Sequence, residues 1–208
     1  MTRVAAIDCG TNTIRLLIAE AHRDDSGRPH LEVLRRRNEI VRLGQGVDAR
    51  GYLDRGAIAR TVEATVEYQR MIDKLGATRT RFVATSATRD ASNSAEFIRQ
   101  IKAVIGVEPE VVVGTQEASL SFTGAVGGLG ESVRSPLLVV DIGGGSTELV
   151  LGSTVVKQAI SIDMGAVRVT EKFFSHLDPA QGVPQAEQGR AIAWIDEQLD
   201  GAEKAVDL

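Results

Sequence analysis

Two segments of this 208-residue chain combine an acid, a turn of small residues and apolar flanks in the same order. They read AAIDCGTNT at residues 5–13 and LVVDIGGGS at residues 138–146. A turn of Gly, Ser, Thr and Asn lets backbone N–H groups and hydroxyls point at an anion, because no bulky side chain blocks the approach. An acid just ahead of such a turn can hold Mg²⁺ directly or through water. The pattern predicts a duplicated phosphate clamp.

Either segment alone would also fit an ordinary β-hairpin with a Gly or Asn turn. Two copies with matching acids, matching glycines and matching apolar flanks favour the phosphate clamp. A second apolar run follows each turn, IRLLI at 14–18 and TELVL at 147–151. Arg15 and Glu148 then occupy equivalent positions, and Arg15 is either a phosphate contact or a salt-bridge partner. Two β-hairpins must therefore position these residues.

Composition places the chain among ordinary globular proteins, with 43% hydrophobic and 25% charged residues. Because the net charge is −4, the overall balance gives no argument for nucleic acid binding. The dense basic run at 35–37, with Arg42 nearby, is interpreted as a solvated face in preference to a polyanion contact. No segment approaches the roughly 20 apolar residues of a membrane span. A single cysteine fits a reducing compartment, so we expect a cytoplasmic protein.

Strands and helices alternate along the chain. Strands are predicted over 4–7, 14–21, 31–41, 81–84, 110–113, 137–140 and 155–162. Helices are predicted over 55–75, from an N-cap among residues 92–94 through 105, over 116–125, over 166–174 and from 185. The segment 44–54 is predicted to be a loop. Three strands followed by helix, strand, helix, strand and helix is the order of a ribonuclease-H-like domain, and the second hairpin begins that order again. We predict an α/β fold of two such domains, 1–133 and 134–208, around a ligand-binding cleft.

Five motifs resemble one known family. They are AIDCGTNTIR at 6–15, TSATRDA at 85–91, GTQEA at 114–118, DIGGGSTE at 141–148 and MGAVRVTE at 164–171. Together they resemble the exopolyphosphatase and guanosine pentaphosphate phosphohydrolase family, within the superfamily of sugar kinases, heat-shock ATPases and actin. The most specific of them is the motif at 141–148, because Glu148 distinguishes it from the general superfamily hairpin.

The resemblance implies a phosphoanhydride hydrolase that acts on inorganic polyphosphate or guanosine pentaphosphate. It implies that Asp141, Glu148 and Asp8 hold Mg²⁺ or another divalent cation, and that Glu117 is the base that deprotonates the attacking water. The residues implied to bind substrate phosphate are Gly10, Thr11, Asn12, Thr13, Arg89, Gly143, Gly144, Gly145, Ser146 and Thr147.

Each side chain also has a structural interpretation. Glu117 lies near a helix start, where an acid is favourable for the helix dipole alone. Arg89 would otherwise be a surface charge and Glu148 an exposed strand residue. Cys9 is interpreted as small apolar filler, because no histidine lies nearby in sequence to activate it. The histidines His22, His30 and His176 are scattered and give no metal-ligand spacing.

Two other functions use the same hairpins. A small-molecule kinase of the same superfamily would bind ATP there, and a non-catalytic sensor of guanosine tetra- or pentaphosphate would need no base. The presence of Glu117, Asp141 and Glu148 together favours hydrolysis.

Members of the resembled family continue past the position of Leu208, so the second domain is expected to be incomplete. The last helix would then expose an apolar face formed by Ile192, Trp194, Ile195 and Leu199. We expect a partial protein, or one that completes itself as a homodimer.

Overall fold

The computed structural model describes residues 2–23, 27, 29–129 and 134–207. The chain forms two compact units, Met1–Val112 and Val113–Leu208. The predicted boundary between 133 and 134 adjoins residues 130–133, which lie outside the described residues. The observed division comes earlier, because the helix at Gly114–Gly127 packs on the strands of the second unit.

The first unit contains one five-stranded sheet and two long helices. Its strands are β1 (Thr2–Cys9), β2 (Thr13–Arg23), β3 (Pro29–Ile40), β4 (Arg79–Ala84) and β5 (Glu110–Val111), and its helices are α1 (Val47–Arg50), α2 (Arg55–Leu75), α3 (Ser86–Arg89) and α4 (Ser94–Ile105). The sheet order is β3-β2-β1-β4-β5, with β1 antiparallel to β2 and parallel to β4. This is the ribonuclease-H-like arrangement that the element order predicts.

Helix α2 shows why the local sequence signals succeed. Asp54 accepts the backbone N–H groups of the first turn, and Gly76 ends the helix in the left-handed region at φ 65°. Ile58, Tyr68 and Ile72 recur on one face and are buried in the core of the first unit. The predicted bounds 55–75 are confirmed.

The start of α4 is less regular than the sequence indicates. Asn93 occupies the N-cap position, but its side chain makes no capping bond. Its amide instead bridges the backbone of Leu53, accepting from the N–H at 2.8 Å and donating to the carbonyl at 3.0 Å. The segment 44–54, predicted to be a loop, contains the short helix α1 just before this contact.

The second unit is a three-stranded antiparallel sheet between helices. It contains α5 (Gly114–Gly127), β6 (Leu137–Ile142), β7 (Thr147–Gly152), β8 (Val156–Ile162), α6 (Ala166–Phe173), a 3-10 turn (Pro179–Gln181) and α7 (Gln185–Glu203). The sheet order is β6-β7-β8. Helix α5 packs on one face through Ala118 and Phe122, and α7 packs on the other through Leu199.

This second sheet repeats the first three strands of the first unit. The pairing β6-β7-β8 has the same antiparallel order as β1-β2-β3. In the two hairpins, Asp8 lies opposite Arg15 and Asp141 lies opposite Glu148. The sequence repeat is therefore also a repeat in strand register.

The predicted exposure of the last helix is wrong for most of its apolar face. Trp194, Ile195 and Leu199 are partly buried, because this face of α7 packs into an apolar cluster formed by residues of the sheet and of α6. Ile192 alone of the four remains exposed, at 57%. Among the described residues, no helix has both the length and the apolar character needed to cross a bilayer.

Candidate functional site

The two hairpin turns close with the same backbone bond. The N–H of Gly10 donates to the carbonyl of Thr13 at 3.0 Å, and the N–H of Gly143 donates to the carbonyl of Ser146 at 2.9 Å. The two turns are therefore equivalent in geometry as well as in sequence.

Helix α6 holds the second turn in place by donating hydrogen bonds to the carbonyl groups of the turn. The contacts are Ala166 N–H to Gly143 O at 3.0 Å, Val167 N–H to Gly144 O at 2.8 Å, Arg168 N–H to Gly144 O at 3.2 Å and Arg168 Nε to Gly145 O at 3.0 Å. In a trans peptide the C=O and the following N–H point in opposite directions. The N–H groups of Gly144, Gly145 and Ser146 therefore point away from α6. Such a run of N–H donors is suited to an anion.

Close packing keeps this turn in place. A Cβ on Gly165 would lie 2.5 Å from the carbonyl carbon and oxygen of Gly144 and 2.7 Å from the nitrogen of Gly145. The hydroxyl of Thr147 donates to the carbonyl of Met164 at 2.6 Å. The buried Thr147 side chain thus anchors the hairpin.

The first turn is held by the segment that follows β3. The carbonyl of Asn12 accepts from Val41 at 3.0 Å and Arg42 at 2.9 Å, and the carbonyl of Thr11 accepts from Gly44 at 2.8 Å. By the same peptide geometry, the N–H groups at positions 12 and 13 point away from this segment.

The side chain of Thr11 serves the scaffold of the first turn. It is buried, and its hydroxyl lies 2.7 Å from the hydroxyl of Ser86, at the start of α3. A Cβ on Gly44 would collide with the Thr11 methyl group. Thr11 therefore positions the turn through its side chain, while the backbone offers the donors.

A row of polar side chains crosses the second sheet beside its turn. Asp141, Glu148 and Ser161 are register partners on β6, β7 and β8, so their side chains share one face. The Ser161 hydroxyl donates to Glu148 Oε1 at 2.8 Å, and the Ser121 hydroxyl of α5 donates to Asp141. Glu148 is only 1% exposed, so its interpretation as an exposed strand residue is wrong.

Helix α5 carries Glu117 across this row. At its start, Gly114 packs so tightly against Ser161 that a Cβ would lie 2.5 Å from the serine Cβ. One further turn beyond Glu117, Ser121 contacts Asp141. Positions 114, 117 and 121 lie on one helical face. Glu117 therefore lies between these two positions, on the α5 face that contacts Ser161 and Asp141.

The two hairpins differ in the charge that faces the acid. Asp8 Oδ2 lies 3.5 Å from Arg15 Nη1, which identifies Arg15 as a salt-bridge partner. At the equivalent place Asp141 faces Glu148, and like charges directly opposite are unfavourable. Carboxylate oxygens are the ligands Mg²⁺ prefers, so this pair fits a divalent cation. The described residues contain no group of three metal-ligating side chains arranged around one ion.

Arg89 is at the end of α3, which begins beside the first turn. Its Nη1 donates to the carbonyl of Val112 at 2.9 Å, and its Nε lies 3.9 Å from Asp90 Oδ1. The side chain is 23% exposed. It is thus anchored in the first unit, which a simple surface charge would not be.

Cys9 and the histidines are the remaining residues that the sequence analysis considered. Burial, with a smaller effect of Asp8, raises the pKa of the Cys9 thiol far above its usual range. This agrees with its role as apolar filler. His22 and His30 are not scattered: they are cross-strand partners on β2 and β3, with ring centroids 5.0 Å apart.

Sequence reasoning missed the serines that contact the acids. Ser121 lies four residues after Glu117, and that spacing was an available signal. Ser161 had no such signal, because its partner Glu148 lies on another strand and the two meet only through the pairing register of β7 and β8. Arg168 lies within the motif at 164–171, but its hydrogen bond to Gly145 forms only in the folded chain.

The repeated sheet order and the paired hairpins define an α/β protein of the actin-like ATPase class. The chain belongs to the Ppx/GppA phosphatase family, whose profile matches residues 21–207. The resemblance and the α/β fold class predicted from sequence are both confirmed.

Three relatives illustrate the match. The chain is 50% identical over 184 residues to exopolyphosphatase 2 of Mycobacterium tuberculosis, covering 86% of this chain and 57% of that protein. A solved exopolyphosphatase-like protein is 42% identical with a TM-score of 0.90, covering 99% of this chain and 62% of that one. The Aquifex aeolicus PPX-GPPA enzyme is 34% identical with a TM-score of 0.73, covering 97% and 64%. The chain thus spans less than two thirds of these relatives.

Proposed function

We propose that the protein releases terminal phosphate from a phosphoanhydride polyanion, with inorganic polyphosphate or guanosine pentaphosphate as substrate. The observation that carries this proposal is the run of N–H groups at 144–146, in the hairpin turn between the paired acids Asp141 and Glu148. The names of the relatives support polyphosphate as the first substrate to test.

Phosphate binding is assigned to the two turns and Arg89. Phosphoryl transfer needs little covalent help from the protein, because charge neutralisation and positioning supply most of the catalysis. The N–H groups at 12–13 and 144–146 supply fixed dipoles for phosphoryl oxygens. The guanidinium of Arg89 matches phosphate geometry and is always charged.

The metal is assigned to Asp141 and Glu148. A divalent cation bound there would neutralise charge on the phosphoryl oxygens. Asp8, the third predicted ligand, differs from Asp141 and Glu148 because its carboxylate already has the positive charge of Arg15 beside it. The serines at 121 and 161 orient the two carboxylates through hydrogen bonds.

The attacking water is assigned to Glu117. Its position on the α5 face that meets the acid row allows it to accept a proton from a water beside the bound phosphate. The helix-dipole interpretation requires only that an acid lies in the first turn of α5. It therefore predicts that replacing Glu117 leaves phosphate release unchanged.

Phosphate release from long-chain polyphosphate, tripolyphosphate and guanosine pentaphosphate, with and without Mg²⁺, tests the proposal. Glu117→Gln should lower kcat by about 10²–10⁴-fold with little change in melting temperature. Glu96→Gln is the matched control, because Glu96 lies in the first turn of α4. Equal release from wild type and Glu117→Gln would refute the assigned base. Binding of guanosine pentaphosphate without release would favour the sensor.

The metal assignment has a readout that is independent of turnover. Glu148→Gln removes the like-charge contact but keeps an oxygen that can accept from Ser161. It should raise the melting temperature in EDTA and abolish the increase that Mg²⁺ gives the wild type. A Mg²⁺-dependent increase that survives in this variant would exclude Glu148 as a ligand.

A further inference from the structure

Arg42 belongs to the segment that backs the first turn. It follows β3, and its backbone N–H donates to the carbonyl of Asn12 at 2.9 Å. Its neighbours Val41 and Leu43 are buried, at 2% and 0% exposure, whereas Arg42 itself is exposed. The fold therefore fixes the backbone of Arg42 beside the turn and leaves its side chain outside the core.

The backbone of Arg42 is in an unfavourable conformation. Its φ is 51°, and among the described residues it is the one non-glycine residue with positive φ. A left-handed conformation is sterically unfavourable for an ordinary L-residue, and glycine would adopt it without that cost. Such outliers cluster at functional sites, where the surrounding structure holds them in place. Glycine would fit this backbone conformation better, so the contribution of arginine at this position is its side chain.

The guanidinium of Arg42 also differs from those around it. Arg37 lies 3.5 Å from Glu39, Arg50 donates to the carbonyl of Gln45 at 2.7 Å, and Arg60 donates to the carbonyl of Val41 at 3.0 Å. No described residue forms a hydrogen bond or ion pair with the guanidinium of Arg42. A fixed backbone, an exposed cation and an adjacent anion-binding turn are thus combined at one residue.

We propose that Arg42 is a substrate-binding residue that contacts a phosphoryl oxygen of the phosphate chain held at the first turn. This inference rests on the proposed function and deepens it, because it separates Arg42 from the solvated basic run at 35–37. The planar guanidinium can bind two phosphoryl oxygens at once, which a lysine cannot.

The test compares tripolyphosphate binding by calorimetry and thermal stability in one set of variants, all in the Glu117→Gln background to prevent turnover. Arg42→Gly removes the side chain and relieves the positive φ. It should weaken tripolyphosphate binding by about 10-fold to 100-fold while the melting temperature stays equal or rises. Arg42→Lys should show an intermediate loss of affinity. Arg99→Ala is the matched control, because Arg99 is an exposed arginine on α4.

The results separate this inference from the proposed function. Unchanged affinity in Arg42→Gly would overturn the inference, and so would a joint loss of affinity and stability, which indicates a structural role. If the Glu117→Gln parent binds tripolyphosphate but wild type releases no phosphate, hydrolysis is refuted and the Arg42 comparison remains valid. If neither the parent nor wild type binds tripolyphosphate, both the inference and the proposed function are overturned.

Discussion

Replacing Gly165 with alanine is expected to displace the second phosphate-binding turn. The added Cβ would lie 2.5 Å from the carbonyl carbon and oxygen of Gly144. The φ of Gly165 is −158°, a value any residue adopts, so the effect is purely steric. Because the clash is with backbone and not with a flexible side chain, the turn itself must move.

The size of the effect follows from overpacking. Inserting a methyl group into a packed site typically costs about 1–3 kcal/mol, and a clash with backbone favours the upper half of that range. For a unit of this size each kcal/mol lowers Tm by about 4–8 °C, so the second unit should melt roughly 8–24 °C lower. Displacing the N–H donors should also slow phosphate release by about 10²-fold.

Scanning calorimetry and phosphate release measure both effects on the same samples. Gly189→Ala is the matched control, because nothing lies within 4 Å of its Cβ position and it is inside α7. Alanine there should stabilise by about 0.5–1 kcal/mol. If the melting temperature of Gly165→Ala equals or exceeds that of wild type, the close contact between Gly165 and Gly144 does not hold the turn and the reasoning fails.

Three further predictions concern the first unit. Tyr68 donates to the carbonyl of Ile14 at 2.8 Å, and burial, with a smaller effect of Glu39, raises the pKa of Tyr68 from 10.0 to about 12. Folding therefore favours the neutral phenol, and this stabilisation is complete below pH 10 and is lost as pH rises towards 12. Tyr68→Phe should lower the free energy of unfolding by about 1 kcal/mol at pH 7, and its difference from wild type should shrink between pH 10 and 12 in urea titrations; a constant difference would contradict the raised pKa. The Cys9 thiol should resist thiol reagents at neutral pH until urea unfolds the chain, and rapid labelling of native protein would show that it is accessible. Asp54→Ala should cost about 1 kcal/mol through loss of the α2 cap, whereas an unchanged urea midpoint would show that the cap contributes nothing.

Local signals explain what could be predicted from the residues. Asp54, the apolar stripe and Gly76 define α2 within one stretch of chain, so its bounds are correct. The paired turns are equally local, because acid, glycine and apolar flanks are adjacent in sequence. The family resemblance depends on these same motifs.

Long-range pairing explains what could not be predicted. The side chain of Asn93 bonds to Leu53 and not to its own helix, because a better partner is 40 residues away in sequence. Helix α5 belongs to the second unit because Ala118 and Phe122 find their apolar partners on β6 to β8. No local sequence pattern predicts which sheet a helix will pack against.

Residue types and their spacing were enough to predict the two hairpins, the order of the elements and the identity of the acids. How these groups are used depends on the fold: strand register places Asp141 opposite Glu148, and hydrogen bonds from α6 direct the carbonyls of residues 143–145 towards that helix. It also held Arg42 at a positive φ beside the first turn. The reason is that residue type specifies which groups are present, whereas their direction depends on backbone contacts between segments far apart in the chain.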